Sequence, residues 1–338
     1  MPDRPTLKTI GQIAGLSHVA VSKALRDAPD ISAATKARVR KIADELGYTP
    51  NMAARNLYLR RTSAIGMVVP AMGEGTAYDL IFNEVSAAAA ALDFCVMLGS
   101  SHRDSRLEER HCGMMVGNQV GALIVASCTS DVSRVKAVCG ATPIIFIGGK
   151  TAPDETYALL CDYRHSSALA VEHLSGLGHR DIALLTYEPY NRTIMQKEEG
   201  FTAAMERRCL KPRIIRSGNA ADAMRAGMAA VEALLKSGQF PTALWCASDY
   251  MAVGAINALK LHGLSVPRDV SVMGHDDLYF GLYPDIGLTT LHTPMAEIGR
   301  AAVELAIALI ERDGREIQPR QVFRPTLVVR GSTGPARS

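Results

Sequence analysis

Thr6-Leu7-Lys8-Thr9-Ile10-Gly11-Gln12-Ile13-Ala14-Gly15-Leu16-Ser17-His18-Val19-Ala20-Val21-Ser22-Lys23 reads as two short helices around one glycine turn. Ile10, Ile13 and Ala14 stand at i, i+3 and i+4 and form one apolar stripe. Gly15 ends the first helix, because the sharp turn needs a residue that tolerates positive φ. Ser17 is a good N-cap for the second helix, which turns Val21, Ala24 and Leu25 inward. Gly11 is a small position where two helices can cross closely, at a helix-propensity cost of about 1 kcal/mol. A third helix is predicted from Ser32 as cap, with Val39, Ile42, Ala43 and Leu46 at helical spacing and Gly47 as its stop. Two helices crossing at a tight turn form the motif that lays one helix in the DNA major groove.

Charge agrees with that reading. Residues 1–62 hold 11 Lys/Arg against 5 Asp/Glu, about +6, and the rest hold 26 against 29, about −3, within an overall net charge of +3. A basic head on a mildly acidic body suggests one module for a polyanion and another with a different task. His18, Val19, Ser22, Lys23 and Arg26 remain on the exposed face of the second helix, where base edges are read. A lysine such as Lys23 is able to donate to guanine N7/O6 and a valine such as Val19 to pack on a thymine methyl, but which base each reads does not follow from sequence. Lys36, Arg38, Arg40 and Lys41 on the third helix are either a solvated face or phosphate contacts.

The bulk numbers exclude several classes. At 338 residues the chain suits two or three domains, and with 5% aromatic residues its core must be mostly aliphatic. No apolar run reaches the roughly 20 residues that span a bilayer. The start, Met1-Pro-Asp-Arg-Pro5, has no apolar secretory segment, so a cytoplasmic protein without a membrane partner is expected. Seven scattered cysteines without a Cys-x-x-Cys pair point to reduced, mostly buried thiols and to no metal site. No phosphate loop, nucleophile elbow or metal-ligand spacing is present, and no cofactor is expected.

From Ser63 onward apolar strands alternate with helical stretches. Strands are predicted at 64–69, 94–98, 122–126, 143–147, 182–186, 243–246 and 270–273. Helices are predicted at 78–92, 165–177, 197–208, 220–236 and 249–262. Regular β-α-β alternation means parallel sheets covered by helices on both faces, here as two units with a cleft between them. Ligands of such sheets sit beyond the carboxyl ends of the strands. Asp276 and Asp277 follow an apolar strand and lie at such an end, as do Ser248 and Asp249. Asp249 is open to two roles, helix cap or ligand contact. Gly178-His-Arg180 marks a helix stop, which favours a structural His179.

Ala14-Gly15-Leu16-Ser17, Val21-Ser22, Ala43-Asp-Glu-Leu-Gly-Tyr48-x-Pro50-Asn51 and Ala54-Arg55-x-Leu57 together resemble the head of the lactose-repressor (LacI/GalR) family. The resemblance continues through Gly200-Phe201, Ser248-Asp249-x-Met-Ala-x-Gly-Ala255, Val272-Met-Gly-His-Asp276-Asp277, Leu288-Thr-Thr-Leu291 and Pro325-Thr-Leu-Val-Val-Arg330. It implies an all-α helix-turn-helix head (1–50), a hinge helix and linker (51–62), and an α/β two-lobed, periplasmic-binding-protein-like body (63–338). Lobe 1 is expected at about 63–161 and 293–322, and lobe 2 at about 162–290 and 323–335.

The resemblance implies a ligand-responsive transcriptional regulator, a repressor by family default. Its expected partners are double-stranded operator DNA, a second copy of the chain, and a sugar, sugar acid or similar polar effector. Thr6, Ser17, His18, Val19, Ser22, Lys23, Asn51, Arg55 and Leu57 are the expected DNA contacts, Leu57 being the minor-groove wedge. The chain stops soon after Arg330-Gly-Ser-Thr without a leucine-heptad tail, so a dimer is favoured over a tail-built tetramer.

Tyr78, Thr193, Lys197, Ser248, Asp276 and Thr293 are the expected effector contacts, Tyr78 stacking on the ligand or packing in the core. The chain departs from the family at four places. Lys197 stands where arginine is common and loses the bidentate fork. Ser248 replaces an amide, Phe146-Ile-Gly148-Gly149 lacks an aspartate, and Thr293-Pro294 follows His292 where glutamine is frequent. An acidic ligand meeting Lys197 is therefore one candidate. A receptor without a DNA role, or an enzyme using Asp276 and Asp277, is the alternative.

Overall fold

The computed structural model describes residues 5–49, 62–73, 76–129, 131–148, 157–188, 192–218, 222–282, 287–312, 314 and 316–337. Two compact units divide the chain, Met1–Arg61 and Thr62–Ser338.

The first unit contains α1 (Leu7–Ala14), α2 (His18–Leu25) and α3 (Ala33–Glu45). Thr6 caps α1 through a reciprocal box with Thr9. Gly15, at φ 66°, ends α1 with its N–H on Gly11 O. Ser17 and Ser32 cap α2 and α3 by accepting the N–H groups of Ala20 and Thr35, each at 3.2 Å. Ile10, Ala14, Val21, Ala24, Val39 and Ala43 form the core.

Ile13 is not part of that core. It is 58% exposed, because the inner stripe of α1 runs through Leu7, Ile10, Gly11 and Ala14. Gly11 has a packing reason: a Cβ there would stand 2.5 Å from the Leu16 carbonyl oxygen. The close crossing accounts for a residue that the helix itself disfavours.

The second unit holds two parallel sheets. The larger has the order β11-β5-β4-β3-β1-β2, built from β1 (Ala64–Val69), β2 (Cys95–Ser100), β3 (Ala122–Val125), β4 (Ile144–Gly148), β5 (Tyr157–Cys161) and β11 (Arg320–Phe323). Helices α4 (Ala77–Ala90) and α11 (Met295–Glu311) pack on one face, and α5 (Ser105–Gly117) and α6 (Ser133–Cys139) on the other.

The smaller sheet has the order β7-β6-β8-β9, from β6 (Ile182–Thr186), β7 (Arg213–Arg216), β8 (Ala243–Cys246) and β9 (Ser271–Met273). It is covered by α7 (Tyr163–Gly176) and α8 (Arg192–Arg207) on one face and by α9 (Ala223–Lys236) and α10 (Asp249–Leu261) on the other. An antiparallel pair, β10 (Thr290–His292) with β12 (Thr326–Val328), completes the unit. The chain passes between the two lobes after β5, after β10 and after β11.

Strands β1, β6 and β8 have the predicted limits, and the other predicted elements shift by a few residues. All seven cysteines are unbridged, five of them buried. Among the described residues no helix is long and apolar enough to cross a membrane.

Candidate functional site

In the first unit, the expected reading face is divided between solvent and local bonds. His18 and Val19 at the start of α2 are exposed, and Ser22 and Lys23 are half-buried one turn on. Lys23 Nζ pairs with Asp30 Oδ2 at 2.5 Å, so its ammonium is held at the rim of the helix. Four basic residues of α3 have protein partners and leave both readings, solvated face and phosphate contact, open. Lys36 donates to Asp27 O at 3.1 Å, and Arg38 to Ala14 O at 2.9 Å. Arg40 pairs with Asp27, and Lys41 approaches Glu45 at 3.9 Å. Arg38 thereby ties α3 to α1, while Lys36 and Arg40 hold the turn after α2. Thr6 and Ser17 are caps whose hydroxyls are occupied by backbone N–H groups. Asn51, Arg55 and Leu57 lie outside the described residues.

In the second unit, a cleft opens beyond the carboxyl ends of both sheets, where open α/β folds bind ligands. All six expected effector residues line it: Tyr78 from lobe 1, Thr193, Lys197, Ser248 and Asp276 from lobe 2, and Thr293 from a connection between the lobes. Sequence reasoning missed Tyr163, Tyr187 and Tyr250, which line it too, and the cations Arg103 and Arg192. Arg192 and Tyr250 stand one and two residues from the predicted Thr193 and Ser248, whereas Tyr163, Tyr187 and Arg103 reach the cleft through topology alone.

Asp276 is set by an unusual backbone. Its φ is 109° and that of Asp277 is 59°, while the Asp276 N–H donates to Leu291 O at 2.9 Å. Strain of this kind concentrates where side-chain aim matters. The Asp276 carboxylate is bonded to His275 Nδ1 at 2.8 Å. Burial opposes its ionisation, but His275 and Lys197 more than offset this and hold it below the usual carboxylate range. His275 is fully buried, and desolvation, then the Lys197 charge, lowers its pKa.

Lys197 stands in the wall of the cleft. Its side chain is buried, its Nζ donates to Ala247 O at 2.7 Å, and it lies 5.1 Å from the Tyr163 ring centroid. Desolvation lowers its pKa, opposed by the carboxylate of Asp276. Ser248 caps α10 by accepting the Met251 N–H, and shares a 2.6 Å hydrogen bond with the Tyr187 hydroxyl.

Asp249 takes neither of its expected roles. Ser248 is the cap, and Asp249 is wholly buried behind the cleft. Asp277 turns away to Arg330 Nη2 at 2.6 Å and His292 Nδ1 at 3.1 Å, so it and Asp276 do not form an acid–base pair over one space. Glu108 had no sequence signal. It is fully buried on α5 and accepts from Ser127 Oγ and Cys128 N, both at 2.7 Å, which fixes the loop that brings Ser127 to the cleft. His179 is structural, bonded to Thr242, Ser271 and Gly334.

A helix-turn-helix unit and a two-lobed α/β unit with a polar cleft define a ligand-responsive transcriptional regulator. Residues 6–51 match the family described as bacterial regulatory proteins, lacI family, and residues 171–333 match the periplasmic binding protein-like domain. The HTH-type transcriptional regulator reg1 of Streptomyces lividans is 32% identical over 347 residues, covering 98% of this chain and 97% of that one. The probable HTH-type transcriptional repressor ExuR of Bacillus subtilis (strain 168) is 28% identical over 312 residues, covering 90% and 91%. The lac repressor dimer bound to operator and the anti-inducer ONPF superimposes with a TM-score of 0.88 at 27% identity, over 98% of this chain and 100% of that one. The chain belongs to the LacI family of bacterial regulators, and it is a regulator and not an enzyme.

Proposed function

We propose that this chain binds a pseudo-palindromic operator as a homodimer, acts there as a repressor in the cytoplasm, and changes its grip when a small polar effector enters the cleft. Residues 1–50 read the major groove, 51–62 form the hinge, and 63–338 sense the effector and dimerise. The observation that carries this reading is the meeting of Tyr78, Thr193, Lys197, Ser248, Asp276 and Thr293 at the carboxyl ends of two sheets. The solved relative held operator and a small molecule together. A two-fold protein meets two half-sites, which makes the operator near-palindromic.

On the reading face, His18, Val19, Ser22 and Lys23 approach base edges, with Thr6 and Ser17 at the phosphates. Asn51, Arg55 and Leu57 act in the minor groove, where an apolar wedge trades unstacking for a bent duplex. The test is selection of binding sites from a random DNA pool, followed by titration at several salt concentrations. A pseudo-palindrome with steep salt weakening is expected. Leu57→Ser should lower affinity for it without altering effector binding. Recovery of no preferred sequence, or unchanged operator binding by Leu57→Ser, would count against the reader or the wedge respectively.

A further inference from the structure

Val19, Ser22 and Lys23 share one face of α2, at i, i+3 and i+4. Lys23 Nζ is bound to Asp30 Oδ2 at 2.5 Å, and Asp30 belongs to the turn between α2 and α3. The two side chains are 43% and 53% exposed, so the pair stays open to a partner. The bond from Lys23 holds the Asp30 carboxyl below the usual carboxylate range, so it is ionised at neutral pH. The other acid of that turn, Asp27, pairs with Arg40 of α3 instead.

An exposed ion pair adds little to stability. On a DNA-facing helix it also weakens plain grip: the carboxylate repels phosphates and withholds a lysine from them. What it supplies is a donor beside an acceptor. A G·C pair displays guanine N7 and O6 as adjacent acceptors in the major groove, followed by the cytosine N4 amino donor. Lysine gives to the first two, and aspartate accepts from the third. The ammonium has three donors and the carboxylate about four lone-pair sites, so their mutual bond leaves both with capacity for a base pair. An A·T pair separates its acceptors by the adenine amino group and adds the thymine methyl, so it offers the ammonium no adjacent pair.

We propose that Asp30 is a specificity-determining residue of the head: together with Lys23 it reads one G·C pair in each half-site, the ammonium on guanine and the carboxylate on the cytosine amino group. This rests on the reading of α2 as the helix in the major groove. It adds a residue outside that helix and the identity of a base pair.

The experiment selects binding sites from a random DNA pool with the full chain, as wild type and as Asp30→Ala, Asp30→Asn and Lys23→Ala, and then measures affinities by anisotropy. Wild type should select G·C at one symmetric position of each half-site, and A·T there should weaken binding about fivefold or more. Lys23→Ala and Asp30→Ala should each lose the preference at that same position and keep it elsewhere. The double variant should lose little beyond either single one, because the two act as a unit. Asp30→Ala should also bind a non-cognate duplex more tightly, with a log–log salt slope steeper by about 0.9 for each phosphate that the released lysine gains. A head damaged in its fold would lose cognate and non-cognate binding together. Asp30→Asn keeps the shape of the turn and covers the case of a misfolded alanine variant.

Base preferences unchanged in both Asp30 variants, or lost in both only with all DNA binding, would overturn the role of Asp30. An A·T pair selected at the position that responds to Lys23→Ala would overturn the base assignment. If Lys23→Ala itself leaves every preference unchanged, the reading of this helix face fails as well.

Discussion

Asp249 shows how much a single buried group can control. Its carboxyl has no exposed surface, accepting the Leu278 N–H at 2.7 Å and the Thr290 hydroxyl at 2.6 Å. Burial, then the negative charge of Asp276, pushes its pKa up to about 8. The folded chain thus holds a proton that the unfolded chain, with an ordinary aspartate near 4, releases. That contribution to stability is full below pH about 4 and is lost as the pH rises through about 8. His173 and His179 work at the other end: desolvation lowers both, so their contribution is lost as pH falls below about 6.5.

Between pH 7 and 9 the melting temperature should therefore fall, and Asp249→Asn should flatten the slope while costing about 1–3 kcal/mol for a disturbed buried hydrogen bond. An equal slope in the variant would assign the titration to another group. The sequence placed Asp249 at a strand end but not in this role, because its partners lie 29 and 41 residues away. Asp276 was legible from the same rule, since a carboxylate directly after an apolar strand of a parallel sheet points at the cleft. Tyr163 and Tyr187 follow no spacing that would mark them.

Elements were legible where burial imposed a pattern. Strands β1, β6 and β8 are continuous apolar runs buried on both faces, which parallel sheets require. Arg213–Arg216 and Arg320–Phe323 gave no signal because they are edge strands, where polar residues are tolerated. Met295–Glu311 does carry a helical stripe, with Met295, Ile298, Ala302, Val303 and Ala306 buried opposite exposed Glu297, Arg300 and Glu304, so its spacing was a usable signal that the sequence reading passed over.

The crossing of α9 and α10 was hidden as well. A Cβ on Gly254 would stand 2.0 Å from Met224 O, and one on Gly227 would stand 2.1 Å from Met251 O. Both obstacles are backbone, so the helices would have to separate. Gly254→Ala should destabilise the protein by about 1–3 kcal/mol, despite alanine's better helix propensity. Gly176→Ala is the control, since a Cβ there meets nothing within 4 Å. Urea midpoints read both; a Gly254→Ala midpoint equal to wild type would mean the crossing tolerates a methyl group.

At the scale of the whole molecule, the cleft is lined from both lobes, and a bound effector would touch each. Tyr78 and Ser127 come from one lobe, and Lys197, Ser248 and Asp276 from the other. Such a ligand has different contact energies in different lobe arrangements, which is the requirement for shifting an equilibrium between them. If those arrangements differ in operator affinity, linkage fixes the consequence: operator must change effector affinity by the same factor that effector changes operator affinity, typically 5–150-fold. The chain carries its own reporter. Its single tryptophan, Trp245, is fully buried on β8, 6.5 Å from the His275 ring that holds Asp276. Tryptophan fluorescence should therefore follow effector titrations with and without saturating operator, and anisotropy of labelled operator should follow the reverse experiment. The two factors should agree within error. An effector affinity indifferent to saturating operator would mean that the cleft is a binding site uncoupled from DNA, and the regulatory role assigned to it would have to move elsewhere in the body.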